Sequence, residues 1–324
     1  MRCAVDERSS ATVDVGVVTW NTRDLTVTAL RQLADGDQGC PIRLLVHDNA
    51  STDGTADAIR AEVPEAEVVA GTENLGFAGG VNALIARSTS PWFVTLNSDA
   101  WPEPGCLGRL RDVAVAHPRA AIVAARLERP DGRLEHSTHP FPGLAVALAT
   151  AAARPEHLPQ AWARRHWLHG AWQHDEERIV DWAVGAALLL RRSAIDEIGA
   201  FDDSLFMYAE DLELCWRAHR HGWETWFAPD AVVRHIGNAS GAQAWGTKRD
   251  LVIWANSYEV ARRYQGRARV AAYRYLNAGG AAAAWLRAGR PAGRAGLRDR
   301  LAPHLPRLGV VAPDRPATPA TERP

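Results

Sequence analysis

The sequence is short of several features that would fix its class at once. It has four cysteines in 324 residues. Cys3, Cys40, Cys106 and Cys215 show neither a C-x-x-C pair nor a zinc-ribbon spacing. A disulfide framework is therefore not expected, and reduced thiols in a cytoplasmic setting are. The opening MRCAVDERSSATV is charged where a secretory leader needs an apolar stretch. The longest apolar runs, residues 144–153 and 182–190, are too short to span a bilayer. Neither sign of charge dominates: 37 Lys+Arg face 38 Asp+Glu, a net charge of -1. A surface that grips nucleic acid all round needs more base than that, so no nucleic-acid partner is expected. What remains is 47% hydrophobic and 23% charged, the balance of a globular chain with room for one large core or two ordinary ones.

The neutral sum conceals an asymmetry. Residues 260–324 contain 13 Arg and three acids (Asp299, Asp314, Glu322), a balance of +10, which leaves -11 on residues 1–259. Lysine occurs once, at Lys248. An anionic membrane surface would attract such a tail, although Arg-rich coding alone would also produce it.

Short β-branched runs alternate with helical patterns over the first 130 residues. Strands are expected at 13–20, 42–47, 67–70, 92–96 and 120–127. Helices are expected at 22–34, with Leu25, Ala29, Leu30 and Leu33 inward, at about 55–61 and near 78–86. This alternation implies βαβ units and a mostly parallel sheet covered on both faces. Residues 130–174 read as loops and short helices. Residues 180–191 read as one strand, 211–221 as a helix ended by Gly222, and 225–227 and 231–235 as two short strands turned by Pro229-Asp230. The chain beyond Lys248 reads as helical to about 288, and a Pro-rich tail of loose order follows Pro291.

Ligands of such sheets bind at the carboxyl ends of the strands, which directs attention to Asn21, Asp48, Asn49, Asn97 and Asp99. Asp48 ends an apolar strand and opens the turn Asn49-Ala50-Ser51-Thr52-Asp53-Gly54-Thr55. Its carboxylate suits a nucleobase N–H or ribose hydroxyls, or it serves only as a helix cap. Asn74-Leu75-Gly76-Phe77-Ala78-Gly79-Gly80 is a Gly-rich turn that lets backbone approach a ligand. It is neither a P-loop nor G-x-G-x-x-G, which argues against a nicotinamide enzyme. Asn97 and Asp99 offer two oxygens at i and i+2 that suit a hard divalent cation bridging to a diphosphate, or simply form a turn. Glu210 and Asp211 start a helix. One of them can act as a carboxylate base, and the alternative is helix capping. Glu213 is expected to be solvated or paired with Arg217. His235 gains a metal role only where it meets Asp99. His166, His169 and His174 lack zinc spacing.

Taken in order, these segments resemble the family 2 glycosyltransferases, in particular their bacterial rhamnosyltransferase-like branch. The resemblance spans about residues 13–255. Its segments are Val17-Val18-Thr19-Trp20-Asn21, His47-Asp48-Asn49 through Thr55, Asn74-Leu75-Gly76-Phe77-Ala78 and Leu96-Asn97-Ser98-Asp99. They continue with Gly185-Ala186 through Arg191-Arg192, Gly199-Ala200-Phe201-Asp202, Phe206 through Arg217, and His235-Ile236-Gly237-Asn238-Ala239-Ser240.

The resemblance implies a GT-A fold, a Rossmann-like mostly parallel sheet flanked by helices, with a helical C-terminal extension. It implies donor contacts at Asn21, Asp48, Asn74, Gly76, Asn97 and Asp99. Asp99 falls at the family's DxD position and, with His235, would hold Mn²⁺ or Mg²⁺. Asp211 would be the general base, and Trp182, Gly185 and Glu210 fall on the acceptor side. One departure is Asn97, which replaces the first acid of DxD. The implied activity is inverting transfer of a sugar, such as L-rhamnose, from dTDP-rhamnose or a UDP-sugar. The acceptor would be a saccharide, a lipid-linked saccharide or a small molecule. Trp182, Trp172 and Trp101 would stack on sugars or fill core. The implied organisation is an N-terminal extension (1–12) and a transferase domain (13–255), divided into nucleotide-sugar (13–127) and acceptor (128–255) halves. A basic helical extension (256–290) and a loose tail (291–324) follow. Two rivals remain. A sugar nucleotidyltransferase would need a Gly-rich basic loop that 13–22 lacks, and a non-catalytic sugar-binding protein would be favoured by loss of Asp99 or Asp211, both present.

Overall fold

The computed structural model describes residues 11–152, 172, 174–237, 248–287 and 293–305. They fall into two compact units. The first holds residues 11–138 and 174–237, and the second holds 139–152, 172, 248–287 and 293–305.

The first unit is built on β1 (Val13–Thr19), α1 (Arg23–Asp35), β2 (Ile42–Asp48), α2 (Thr55–Glu62), β3 (Glu67–Ala70), α3 (Gly76–Ile85) and β4 (Trp92–Asn97). The chain continues through β5 (Ala100–Pro102), α4 (Cys106–Ala116), β6 (Ala120–Glu128), β7 (Leu134–Glu135) and β8 (Thr138–His139). It returns with β9 (Arg178–Val180), β10 (Trp182–Ala183), β11 (Ala187–Arg191), α6 (Arg192–Ile198), α7 (Glu210–Arg220) and β12 (Glu224–His235). The main sheet runs β3-β2-β1-β4-β11-β6-β12-β5. The pairs β1/β2, β1/β4, β2/β3 and β6/β12 are parallel, and β11 is inserted antiparallel between β4 and β6. The expected mostly parallel, helix-flanked sheet is thus observed.

Its central strands are apolar on both faces because helices cover both. Val13, Val15, Val17, Trp92, Val94, Leu96, Leu188, Leu189 and Leu190 are all buried. Truncating one such leucine to alanine costs about 2–5 kcal/mol. Two adjacent arginines then close helix ends. The buried Arg191 donates to the carbonyls of Ala114, His117 and Ala120 and lies 4.8 Å over the Trp92 ring. Arg192 donates to Ile85 O (3.1 Å) and Ser88 O (2.7 Å). Each places a cation on orphan carbonyls at a helix C-terminus.

Several local expectations change. The apolar stretch 180–191 is three strands with different partners: β9 joins β12, β10 joins β8, and β11 joins β4 and β6. Asp181 and Gly185 lie at the interruptions, where backbone leaves the ladder. Residues 224–235 form one strand, and Pro229-Asp230 lies in its bulge rather than at a hairpin turn. A proline is admitted there because a bulge leaves a residue unpaired. Leu25 is exposed, and the buried residues of α1 are Thr26, Val27, Ala29, Leu30 and Leu33. Thr26 is accommodated by hydrogen bonds to Thr19 Oγ1 (2.8 Å) and Thr22 O (2.9 Å).

The second unit contains α5 (Leu144–Ala152), α8 (Arg249–Gln265), α9 (Arg267–Arg287) and α10 (Gly293–Leu301). Gly266, at φ +84, separates α8 from α9. The helix α10 forms where the composition reads as loosely ordered. Its C-terminal end is held by His304, whose Nδ1 lies 2.7 Å from the Tyr258 hydroxyl. Asn277 Nδ2 donates to the same hydroxyl at 3.0 Å, and Arg274 stacks 4.6 Å over the Tyr258 ring. His166 and His169 and the remainder of the tail lie outside the described residues. Among the described residues, no helix is long and apolar enough to cross a membrane.

Candidate active site

The candidate side chains lie at the carboxyl ends of β1, β2, β4 and β12 and at the start of α7. Asp48 ends β2 and is buried. Its Oδ1 accepts from Ser51 N (3.3 Å) and from the Ser51 hydroxyl. Burial raises its pKa, and the Ser51 bonds pull the other way. Asn21 follows β1 at φ +50, a conformation Asn tolerates well. Its N–H donates to Ser51 Oγ (2.9 Å), and its Oδ1 accepts from Thr52 N (2.8 Å). Asn21 therefore stitches the end of β1 to the turn after β2.

The second turn is held in the same manner. Asn49 Oδ1 accepts from Leu75 N (3.2 Å), Asn49 Nδ2 donates to Gly76 O (3.0 Å), and Asn74 Oδ1 accepts from Gly76 N (2.9 Å). Gly76 lies at φ +75, and a Cβ there would fall 2.2 Å from Phe206 O. The close approach this glycine permits is thus to the segment that leads into α7. Phe77 N donates to the same Phe206 oxygen at 2.9 Å.

Asn97 and Asp99 meet His235. The register of β5 on β12 places Ala100 opposite His235. His235 Nε2 lies 3.4 Å from Asp99 Oδ1 and 3.3 Å from Asn97 Nδ2. His235 Nδ1 lies 3.2 Å from Glu135 Oε2, and Arg129 Nε contacts the same Glu135 oxygen at 3.2 Å. Asp99 and His235 are both buried. Burial opposes charge on His235, but its bonds to Asp99 and Glu135 outweigh that and raise the pKa to about 9. Among the described residues no three His, Cys, Asp or Glu side chains surround a common point. The donor set nevertheless fits a hard cation. One carboxylate oxygen converges with one imidazole nitrogen, which can ligate once a cation displaces its proton, and a carboxylate on the far ring nitrogen fixes the ring. A cation bound largely by diphosphate and water needs no more from the protein.

Glu210 and Asp211 begin α7. Tyr208 (φ +70) and Ala209 (φ +69) precede them, two consecutive non-glycine residues in the left-handed region. Each costs on the order of 1–3 kcal/mol. The two acids differ in their surroundings. Asp211 Oδ2 accepts from Gly185 N (2.8 Å) and Oδ1 from Leu212 N (2.7 Å). Glu210 is as deeply buried, and its Oε2 has no hydrogen-bond partner. Burial raises both pKa values, and the neighbouring Asp211 charge pushes Glu210 well above the usual range. The two N–H donors on Asp211 favour its charged form, and burial without a partner on Oε2 favours the protonated form of Glu210.

Two backbone hydrogen bonds tie these regions together. Gly185 N donates to Asp211, and Asn97 N donates to the next carbonyl, Ala186 O, at 3.0 Å. A Cβ at Gly185 would lie 3.5 Å from both Asp211 Cβ and Phe77 Cε1. Loop 199–209 is fastened from both sides. Asn82 brackets Phe201 through its N–H (2.9 Å) and carbonyl (2.8 Å). Arg217 donates to Gly199 O and Ala200 O, and pairs with the buried Glu213 at 2.7 Å. Trp182 and Trp101 are half-buried on β10 and β5, whereas Trp172 is buried in the second unit. Glu135, Phe206, Asn82 and the structural use of Arg217 have no local pattern in the sequence to announce them. Glu135 lies in an irregular stretch, and the others act through backbone.

Comparison with known proteins agrees with this geometry. The fold is that of the GT-A enzymes. A mannosyltransferase of Pyrobaculum calidifontis, solved in complex with GDP-Man and Mn²⁺, superposes with a TM-score of 0.57 at 20% identity, over 88% of this chain and 77% of the other. GalNAc-T7, solved with UDP, GalNAc and Mn²⁺, gives 0.53 at 13% identity, over 80% and 51%. The family described as glycosyl transferase family 2 matches residues 14–199, and glycosyl transferase family group 2 matches 146–286. The chain therefore belongs to glycosyl transferase family 2. It is rhamnosyltransferase-like: an N-acetylglucosaminyl-diphospho-decaprenol L-rhamnosyltransferase of Mycobacterium tuberculosis (strain ATCC 25618 / H37Rv) is 32% identical over 209 residues. That match covers 60% of this chain and 66% of the relative, just under two thirds of its length.

Proposed function

We propose that the protein is an inverting glycosyltransferase. It moves a sugar, L-rhamnose for preference, from a nucleotide diphosphate donor to a hydroxyl of a lipid-linked saccharide. The observation that carries the reading is the placement of Asp211. This buried carboxylate is fixed by Gly185 N–H, one residue from the carbonyl that holds Asn97 on the Asp99 strand end. The rhamnosyltransferase relative supports the sugar and the lipid-linked class of acceptor. The unpaired thiols of Cys40, Cys106 and Cys215 suit a cytoplasmic site of action, at the inner face of the membrane where a lipid-linked acceptor is reached.

Asp48, buried at the end of β2, receives the donor's base, with Asn21 and Asn74 shaping the two turns around the nucleoside. Asp99 and His235 would hold a divalent cation, Mn²⁺ or Mg²⁺, whose charge would compensate that developing on the departing diphosphate. Asp211 accepts the proton of the acceptor hydroxyl as its oxygen bonds to the anomeric carbon. The sugar–phosphate C–O bond breaks with its electron pair going to the diphosphate. One displacement from the face opposite the leaving group inverts the anomeric centre, the geometric logic that also governs inverting glycosidases. Glu210 keeps its proton, so a single carboxylate beside the acceptor is charged. Asp211 retains acceptor capacity because each N–H bond uses one lone pair of its oxygen.

The test offers purified protein a panel of nucleotide sugars with Mn²⁺ or Mg²⁺ and follows nucleotide diphosphate release. Release from a dTDP-linked deoxysugar with a lipid-diphosphate saccharide present is the expected result. No release from any donor, together with no donor binding by calorimetry, overturns the reading.

A further inference from the structure

The outward face of α9 lacks the charge that a solvated helix face ordinarily carries. Its buried residues include Val270, Tyr273 and Ala278. Its exposed residues from 271 onward are Ala271, Ala272, Tyr275, Gly279, Ala284 and Leu286, none of them charged. Between Arg269 and Arg287 the one charged residue is Arg274, and its guanidinium stacks on Tyr258. Tyr275 is 67% exposed and Leu286 53%. They are separated by eleven residues, about three turns, so they project within about 20° of each other and about 16 Å apart along the axis. Gly279 lies between them, and a Cβ there would meet nothing within 4 Å. Among the described residues five large apolar side chains are exposed, and three of them (Leu148, Tyr275, Leu286) belong to the second unit.

The charge around this face has one sign. The described residues of the second unit hold eleven Lys and Arg against Asp250, Glu259 and Asp299. Arg267 and Arg269 are exposed at the start of α9, one on each flank of the apolar strip by helical spacing. A second copy of the chain would bring a like-charged surface against this one. An anionic bilayer complements it: headgroups pair with arginine while tyrosine and leucine enter the headgroup boundary.

We infer that α9 lies on an anionic lipid surface, with Tyr275 and Leu286 inserted and Arg267 and Arg269 on the headgroups. This deepens the proposed transfer to a lipid-linked acceptor and rests on that reading only for its purpose. Contact with the bilayer would hold the enzyme at the surface where such an acceptor is confined.

The test is co-sedimentation of the full chain with phosphatidylcholine vesicles, with and without phosphatidylglycerol. The wild type is expected to bind the anionic vesicles, and to bind less as salt is raised. Y275S/L286S is expected to lower partitioning about tenfold, and Gly279→Leu to raise it several-fold by adding apolar area where space is open. Circular dichroism checks that each variant remains folded. Equal partitioning of wild type and Y275S/L286S overturns the inference. So does an oligomer, seen by ultracentrifugation without vesicles, that Y275S/L286S dissociates while vesicle binding persists. Nucleotide release with a water-soluble acceptor is followed on the same preparations. Its absence would remove the transferase reading and leave the vesicle result standing.

Discussion

Gly185 donates its backbone N–H to Oδ2 of Asp211 at 2.8 Å, while Oε2 of the adjacent Glu210 is equally buried and has no partner. That difference favours charge on Asp211 and a proton on Glu210. The interruption at Gly185 makes this bond possible, because an N–H engaged in a sheet ladder could not be lent to the carboxylate.

Asp211→Asn is expected to lower the transfer rate by about 10²–10⁴-fold with donor binding retained, the usual worth of a positioned base. Glu210→Gln replaces a protonated carboxyl with a neutral amide and should cost far less. Single-turnover transfer with donor affinity measured alongside decides between them. Equal losses would show that the two acids act as one.

The rate should also report the ionisation of Asp211. Burial raises its pKa, and the base works only when deprotonated. Activity is therefore expected to fall on acidification at a pH above the ordinary aspartate value near 3.9. A pH–rate profile of kcat/KM measures the acidic limb, and a limb at or below the ordinary value would remove Asp211 as the base.

Gly76→Ala should damage the site from a distance. A Cβ at φ +75 costs about 1–3 kcal/mol, and the clash with Phe206 O would push the 206–209 segment off α3. Denaturant unfolding should show the stability loss, and the rate should fall more than stability alone explains. Normal turnover would show that Phe206 does not need this contact to present Asp211.

Asp99→Ala is expected to abolish the effect of Mn²⁺ on donor affinity while leaving a weaker, metal-independent component. Calorimetry with and without chelator reads this directly. An unchanged metal dependence would move the cation away from Asp99 and His235.

The second unit should have its own pH response. Burial and the Arg274 charge lower the His304 pKa to about 4. A folded value below the unfolded one near 6.5 contributes stability that is complete above about pH 6.5 and is lost as pH falls toward 4. Thermal melts at pH 7 and pH 5 should differ more for wild type than for His304→Phe. An identical pH dependence would dissociate the Tyr258–His304 contact from stability.

The sequence by itself determined that apolar runs alternate with helices, because continuous β-branched strands need cover on both faces. It also determined which polar residues end those strands: Asp48, Asn97, Asp99 and His235. Period and turn chemistry are local and so are written in order along the chain. Only the tertiary structure decided which strand lies beside which, and with it the meeting of Asp99 with His235 across 136 positions and the support of His235 by Glu135. It divided one apolar stretch into β9, β10 and β11, freeing Gly185 for Asp211, and it used Gly76 to seat Phe206. The different surroundings of Glu210 and Asp211 were likewise decided there. Their chemistry is nearly identical, and only the hydrogen bonds and burial around each oxygen distinguish them.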